Sequence, residues 1–286
     1  MFQALIQTHQ SKQSGKKIKK IKGKPSQPKT HLKINNRLIT DQNETCNILA
    51  QSISKNSSTE NYSKSFQKTK NTKEKTNLDF SSQQNEPYNR PFVISELKTA
   101  LNKSNESAAG PDGIYYQFLT HLPTTCLKVV LQIFNNIWSS GTFPSSWKEA
   151  LVIPIPKPNR DASDPNNYRP IALTSCLCKT MERMVNDRLV WLLESENLIS
   201  KYQCGFRKNH STLDHLVRFE TTLREAFSRK KQVLAVFFDL EKAYDTTWKH
   251  GILSDLHDLN IRGRLPIFIR NFLSDRQFRV KSGNTF

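Results

Sequence analysis

Asp239 is the residue whose neighbours best equip it for chemistry. It follows Val233, Leu234, Ala235, Val236, Phe237 and Phe238, a continuous apolar run that predicts a strand buried on both faces. The end of such a strand carries a carboxylate out of a core into a surface crevice, where it can bind a metal ion or act in catalysis. A helix cap or a turn former suits the same position, and spacing alone does not choose among these roles.

Two other groups of residues could do chemistry. Lys16, Lys17, Lys19, Lys20, Lys22 and Lys24 form a basic run able to bind nucleic-acid phosphates or to act as a nuclear import signal; a solvated interdomain linker is the favoured reading, because a lysine run has no geometry with which to tell one anion from another. The five thiols, Cys46, Cys126, Cys176, Cys178 and Cys204, are odd in number and irregularly spaced, which argues against a disulfide framework. Cys176 and Cys178 stand one residue apart, whereas a zinc ribbon or knuckle needs paired C-x₂₋₄-C clusters, so a structural zinc is not expected.

The elements that position these groups must come from 286 residues with a formal charge of +18. That length allows about two domains, and the charge calls for a polyanionic partner or a solvating tail. Up to Arg90 there are 17 basic and 6 acidic residues, against 26 and 19 beyond it. The first part is crowded with Ser, Thr, Asn and Gln, and its apolar residues are scattered, so residues 1–90 are expected to be a mostly disordered basic linker. No stretch approaches the roughly 18 apolar residues of a membrane span, and Met1 to Gln10 lack a secretory core. A soluble, intracellular chain is predicted.

From Pro91 onward apolar residues recur at regular spacing. Phe92, Ile94, Leu97 and Leu101 predict a helix capped by Ser95, and Gly110-Pro111-Asp112-Gly113 predicts a turn. A helix is expected over 125–139 and a buried strand over 151–155. Met181, Met184, Val185, Leu189, Leu192 and Leu193 form the core stripe of a third helix. Ser211 and Asp214 resemble a capping box before Leu216, Val217, Leu223 and Phe227. Asp245 is expected to cap a helix starting near Thr246.

The phrase Phe237-Phe238-Asp239-Leu240-Glu241-Lys242-Ala243-Tyr244-Asp245 resembles the first catalytic motif of a reverse transcriptase palm, in the F-x-D-x-x-K-A-[FY]-D form of the non-LTR retrotransposons, the jockey-like group above all. Three further blocks stand in the family's order. They are Ala109-Gly110-Pro111-Asp112-Gly113-Ile114; Ile153-Pro154-Ile155-Pro156-Lys157 with Asn167-Tyr168-Arg169-Pro170-Ile171-Ala172-Leu173; and Gln203-Cys204-Gly205-Phe206-Arg207 with Ser211-Thr212. Each is weak alone; four in order are specific. Gly263 to Val280 adds a further likeness.

The resemblance implies an α+β, right-hand polymerase fold: a partial domain over 91–286, with fingers over about 91–230 and an incomplete, mostly antiparallel palm over about 231–286. It implies RNA-directed DNA synthesis with two Mg²⁺ ions, Asp239 being the shared metal ligand and catalytic carboxylate and the Leu240 carbonyl a ligand of the nucleotide-side ion. Lys157 and Arg169 would reach the triphosphate, and Tyr244 would lie under the sugar and exclude a ribose 2′-hydroxyl. Gly110, Asp112, Arg207 and Lys208 are candidates for contacts to the template, with a scaffold role standing beside that one. The implied partners are an RNA template with a DNA primer and deoxynucleoside triphosphates, with no membrane; nuclear residence is a mild preference, and nothing bears on oligomeric state.

One departure matters. No pair of adjacent aspartates occurs in the sequence, so the family's Y-x-D-D ligands are missing, as is its Pro-Gln-Gly segment. A truncated copy, inactive alone, is the expectation, and a nonenzymatic RNA- or DNA-binding remnant is the alternative.

Overall fold

The computed structural model describes residues 31–34, 36–82, 86–104, 107–240 and 242–283. The lysine run from Lys16 to Lys24 lies outside them. The described residues fall into two compact units, the first drawn from 1–55, 150–173 and 278–286, the second from 56–149 and 174–277.

The first unit is built from short elements. Strands β1 (Leu32–Ile34) and β2 (Arg37–Ile39) form an antiparallel hairpin in which Leu32 pairs with Ile39. Asn36 takes the turn at φ 64°, a conformation that Asn tolerates better than most residues. Helix α1 (Gln42–Asn56) starts where the Asp41 carboxylate accepts the Glu44 N–H at 2.7 Å, meeting a donor that the helix itself cannot satisfy. Strand β3 (Glu149–Pro156) pairs antiparallel with β4 (Tyr168–Leu173), giving with the last strand, β5 (Gln277–Val280), the order β4-β3-β5. Leu32, Ile39, Cys46 and Leu49 share a core with Val152, Tyr168 and Val280.

Within the stretch expected to be a mostly disordered linker, 1–90, the described residues 32–34, 37–39, 42–56 and 64–73 form strands and helices. The scattered apolar residues of 32–49 form no long stripe, and each short element contributes only one or two of them. They are buried because strands distant in sequence supply the other half of the core, which a local reading of periodicity does not see.

The second unit is mostly helical: α2 (Lys64–Lys73), α3 (Ile94–Asn102), α4 (Tyr116–Thr120), α5 (Thr124–Ser140), α6 (Cys176–Ser195), α7 (Thr212–Ser228), α8 (Lys249–Asp258) and α9 (Arg264–Leu273). Phe134, Trp138, Trp147, Met181, Met184, Leu265 and Phe268 are central to its core. Trp138 donates its indole N–H to the Asn89 carbonyl at 3.2 Å, so its polar tip is paired inside an apolar site. Asn89 also bonds the Arg262 carbonyl and the Leu265 N–H. Gly263, at φ +87°, leaves room for it: a Cβ there would fall 2.2 Å from the Asn89 amide.

Helix α3 begins one residue before the expected cap. Val93 is its N-cap residue, and Glu96, not Ser95, closes the first turn by accepting the Val93 N–H at 2.8 Å. Arg188 of α6 pairs with that Glu96 at 2.7 and 2.9 Å, and donates to the carbonyls of Tyr88, Arg90 and Pro91 over the Phe92 ring. One planar fork thus fastens the segment leading into α3.

Two expectations near Asp239 are overturned. Residues 233–238 form no strand, and Leu234 and Phe238 are each 90% exposed. A strand exists by hydrogen bonding to a neighbour, and the described residues supply none for this run. Asp245 does not cap a helix at Thr246. It lies in a turn closed by Thr246 N–H to the Lys242 carbonyl at 3.0 Å, and α8 begins at Lys249 with Trp248 as N-cap.

Candidate functional site

In the first unit, the β3–β4 ladder sets two of the predicted residues side by side. Ile155 pairs with Arg169, and the Lys157 N–H donates to the Asn167 carbonyl at 2.8 Å. Since side chains alternate along a strand, Ile155, Lys157 and Arg169 share one face, with Lys157 diagonal to Arg169. Arg169 is exposed on that face and Lys157 half-buried, while Val152 and Tyr168 are buried. The Lys157 ammonium donates to the Asn166 carbonyl at 3.0 Å, which uses one of its three protons and fixes its direction.

The loop between the strands is braced. Asp161 accepts the Ser163 N–H at 2.9 Å and its hydroxyl at 2.7 Å, and the first of these bonds leads in holding its carboxyl below the usual range. Tyr168 donates its hydroxyl to the Ala162 carbonyl at 2.6 Å. From β1, the Lys33 N–H reaches the Ser163 carbonyl at 2.8 Å; from α1, the Ser52 hydroxyl reaches Asn166 at 3.3 Å. Two cations at the base of a rigid loop suit an anion with several oxygens, because little side-chain freedom is lost when it binds.

The other predicted residues lie in the second unit. A Cβ on Gly110 would fall 2.5 Å from the Ser175 nitrogen and the Thr174 carbonyl carbon, so glycine is what lets this turn pack against the start of α6. Asp112 accepts the Ile114 N–H at 3.2 Å, and Gly113 takes φ +68°. Gly110 and Asp112 therefore build the turn.

Arg207 is similarly engaged. It meets Glu194 at 2.8 and 2.6 Å and donates to the carbonyls of Ser200 and Gln203 at 3.0 and 3.1 Å. Its hydrogen bond is the leading cause that holds the Glu194 carboxyl below its ordinary range. Glu194, thirteen positions away on α6, gave no sign of this in the sequence, because a loop and a helix end pair only through the fold. Next to Arg207, Lys208 is exposed and Phe206 is 94% exposed.

Asp239 and Leu240 stand in the exposed, irregular segment. Among the described residues, Asp239 belongs to no group of three converging metal-ligating side chains. Magnesium prefers near-octahedral oxygen coordination, and one carboxylate with a neighbouring carbonyl does not fit a two-ion site. Tyr244 lines a cavity of about 530 Å³ together with Tyr62, Trp248 and His250. Tyr62 donates its hydroxyl to the Thr246 carbonyl at 2.9 Å, and Trp248 its indole N–H to Glu74 at 2.8 Å. Residues expected to be linker thus hold the segment that follows the aspartate.

Comparison with known proteins gives this geometry its context. Residues 155–286 match the family described as reverse transcriptase (RNA-dependent DNA polymerase). The chain is 30% identical over 198 residues to a probable RNA-directed DNA polymerase from transposon BS of Drosophila melanogaster, covering 69% of this chain and 22% of that relative. It is 32% identical over 189 residues to the RNA-directed DNA polymerase from mobile element jockey of the same species, covering 66% and 20%. It is 27% identical over 194 residues to a retrovirus-related Pol polyprotein from the type-1 retrotransposable element R2 of Popillia japonica, covering 68% and 26%. The chain spans about a fifth to a quarter of the length of these relatives. The blocks around Lys157, Arg169, Arg207 and Asp239 thus stand in sequence of the non-LTR, LINE-type reverse transcriptase family, to which this chain belongs.

Proposed function

We propose that this chain carries the nucleotide-facing fingers and the first palm motif of an RNA-directed DNA polymerase. The observation that carries the reading is the common face of Lys157 and Arg169 on a braced ladder. Arg169 presents a planar fork to phosphate oxygens and Lys157 a compact charge beside it. Tyr244 excludes a ribose 2′-hydroxyl by filling the space that oxygen would need. Asp239 and the Leu240 carbonyl would supply one part of the ligand set for divalent ions, short of a complete two-ion site, and Lys208 adds a phosphate contact to the RNA template. The same reading makes 91–230 the fingers and 231–286 part of the palm.

Among the described residues the ligands do not complete the shell of two ions. The 286-residue polypeptide, given a primed RNA template, deoxynucleotides and magnesium, is expected to show no incorporation; incorporation that Asp239→Ala abolishes would overturn that expectation. Triphosphate binding tests the reading itself. Arg169→Ala should weaken it by about tenfold or more, the worth of a charged hydrogen bond, and an unchanged affinity would remove the fingertip assignment.

A second reading, a nonenzymatic RNA- or DNA-binding protein, is favoured by the charge of +18 and by the lone Asp239. It predicts RNA affinity that falls steeply with salt and is indifferent to Asp239→Ala.

A further inference from the structure

Cys204, His210 and Asp214 place one ligand atom each within 4.8 Å of one another. They come from three local settings: Cys204 is buried before the loop, His210 ends the loop, and Asp214 lies in the first turn of α7. We propose that these three side chains form a zinc site that clips the 204–210 loop to α7. The assignment does not rest on the polymerase reading.

The chemistry of the donors selects the ion. A thiolate, an imidazole and a carboxylate suit Zn²⁺, whereas magnesium takes oxygen alone. Around a tetrahedral zinc, with bonds of roughly 2.0 to 2.3 Å, ligand atoms stand roughly 3.3 to 3.8 Å apart, so closure asks each side chain to move by about 1 Å or less. His210 Nδ1 and Asp214 Oδ2 are 4.0 Å apart.

The surroundings orient the set. Asp214 accepts the Ser211 N–H at 2.6 Å, a bond that holds the carboxylate in place while leaving it lone pairs for a cation. Thiolate and carboxylate together carry two negative charges, which neutralise a divalent ion. The loop between the ligands is anchored by the Arg207 fork on Glu194 and passes through Phe206 and Asn209 at φ 61° and 63°, which turns the chain back toward Cys204. Three protein ligands leave a fourth position for water. Bound there, the ion fixes the presentation of Phe206 and Lys208 on the exposed side of the loop.

Cobalt substitution tests this on the full chain. Stoichiometric Co²⁺ should give a thiolate-to-metal charge-transfer band and the d–d bands of a tetrahedral site, both displaced by Zn²⁺. Cys204→Ser should remove the charge-transfer band, and Cys126→Ser, at an exposed thiol, should leave it intact. Because Cys204 is buried, His210→Ala provides the second arm: its position is exposed, and it should weaken cobalt binding by tenfold or more with unchanged circular dichroism. A charge-transfer band that survives Cys204→Ser, a cobalt affinity indifferent to His210→Ala, or the absence of stoichiometric binding would each overturn the site.

Discussion

Helix α6 buries Cys176, Cys178, Met181, Met184, Val185 and Leu192, whereas α7, also amphipathic, buries no residue along its length. On α7, Leu213 and Leu216 are each more than 60% exposed. The sequences of the two helices look equally suited to a core. The difference is that α6 lies against α3 and the segment leading into it, while the apolar side of α7 faces solvent in the described chain. An apolar stripe therefore reports what a helix can bury, and a neighbouring surface decides what it does bury. The run at 233–238 obeys the same rule as a would-be strand.

The contrast breaks most sharply at its centre. Trp138→Ala should cost about 3–5 kcal/mol, since it removes a buried aromatic and leaves the Asn89 carbonyl without its indole donor. Denaturant titration measures it, and a loss under about 1 kcal/mol would deny the second unit its assigned core. A matched pair then tests the helices directly. Met184→Ala in α6 should cost about 2–5 kcal/mol, and Leu216→Ala in α7 under about 0.5 kcal/mol. Equal losses would mean that α7 is buried after all.

Smaller effects sharpen the comparison. Ser211→Ala should cost about 1 kcal/mol, because the Ser211 hydroxyl accepts the Leu213 N–H at 3.2 Å in the capping box; helicity by circular dichroism would show whether α7 depends on its caps more than on packing. On α6, burial first, and the neighbouring Glu182 next, push the Cys178 thiol well above its ordinary value of 9.0. The folded chain keeps this proton while the unfolded chain releases it near that value. The stability it contributes is thus complete at neutral pH and declines as pH rises beyond about 9. Thiol labelling at pH 8 should modify the exposed Cys126 and spare Cys178; rapid labelling of Cys178 would show that α6 opens.

Much of the fold was legible where the signal is local. The helix expected over 125–139 is α5, the Met181 stripe lies on α6, the strand at 151–155 is part of β3, and Ser211 with Asp214 makes the expected capping box. The misses share a cause. Leu32, Ile39 and Cys46 looked too scattered to fold because their partners Val152 and Val280 lie far along the chain. Of the site, the motifs at Lys157, Arg169 and Asp239 were readable as sequence. The engagement of Arg207 by Glu194 and the approach of Cys204 to His210 and Asp214 were not, since a C-x₅-H-x₃-D spacing lacks the paired pattern of familiar zinc clusters.

The sequence by itself carried the family resemblance, the positions of the cationic and acidic motif residues, and the helices at 125–139, around Met181 and after Ser211, because each depends on a few nearby side chains. Only the tertiary structure decided which apolar faces are covered, which charges are spent on scaffolding, and which thiol meets an imidazole and a carboxylate. Those outcomes depend on surfaces that distant segments bring, or fail to bring, into contact, and no window of sequence contains them.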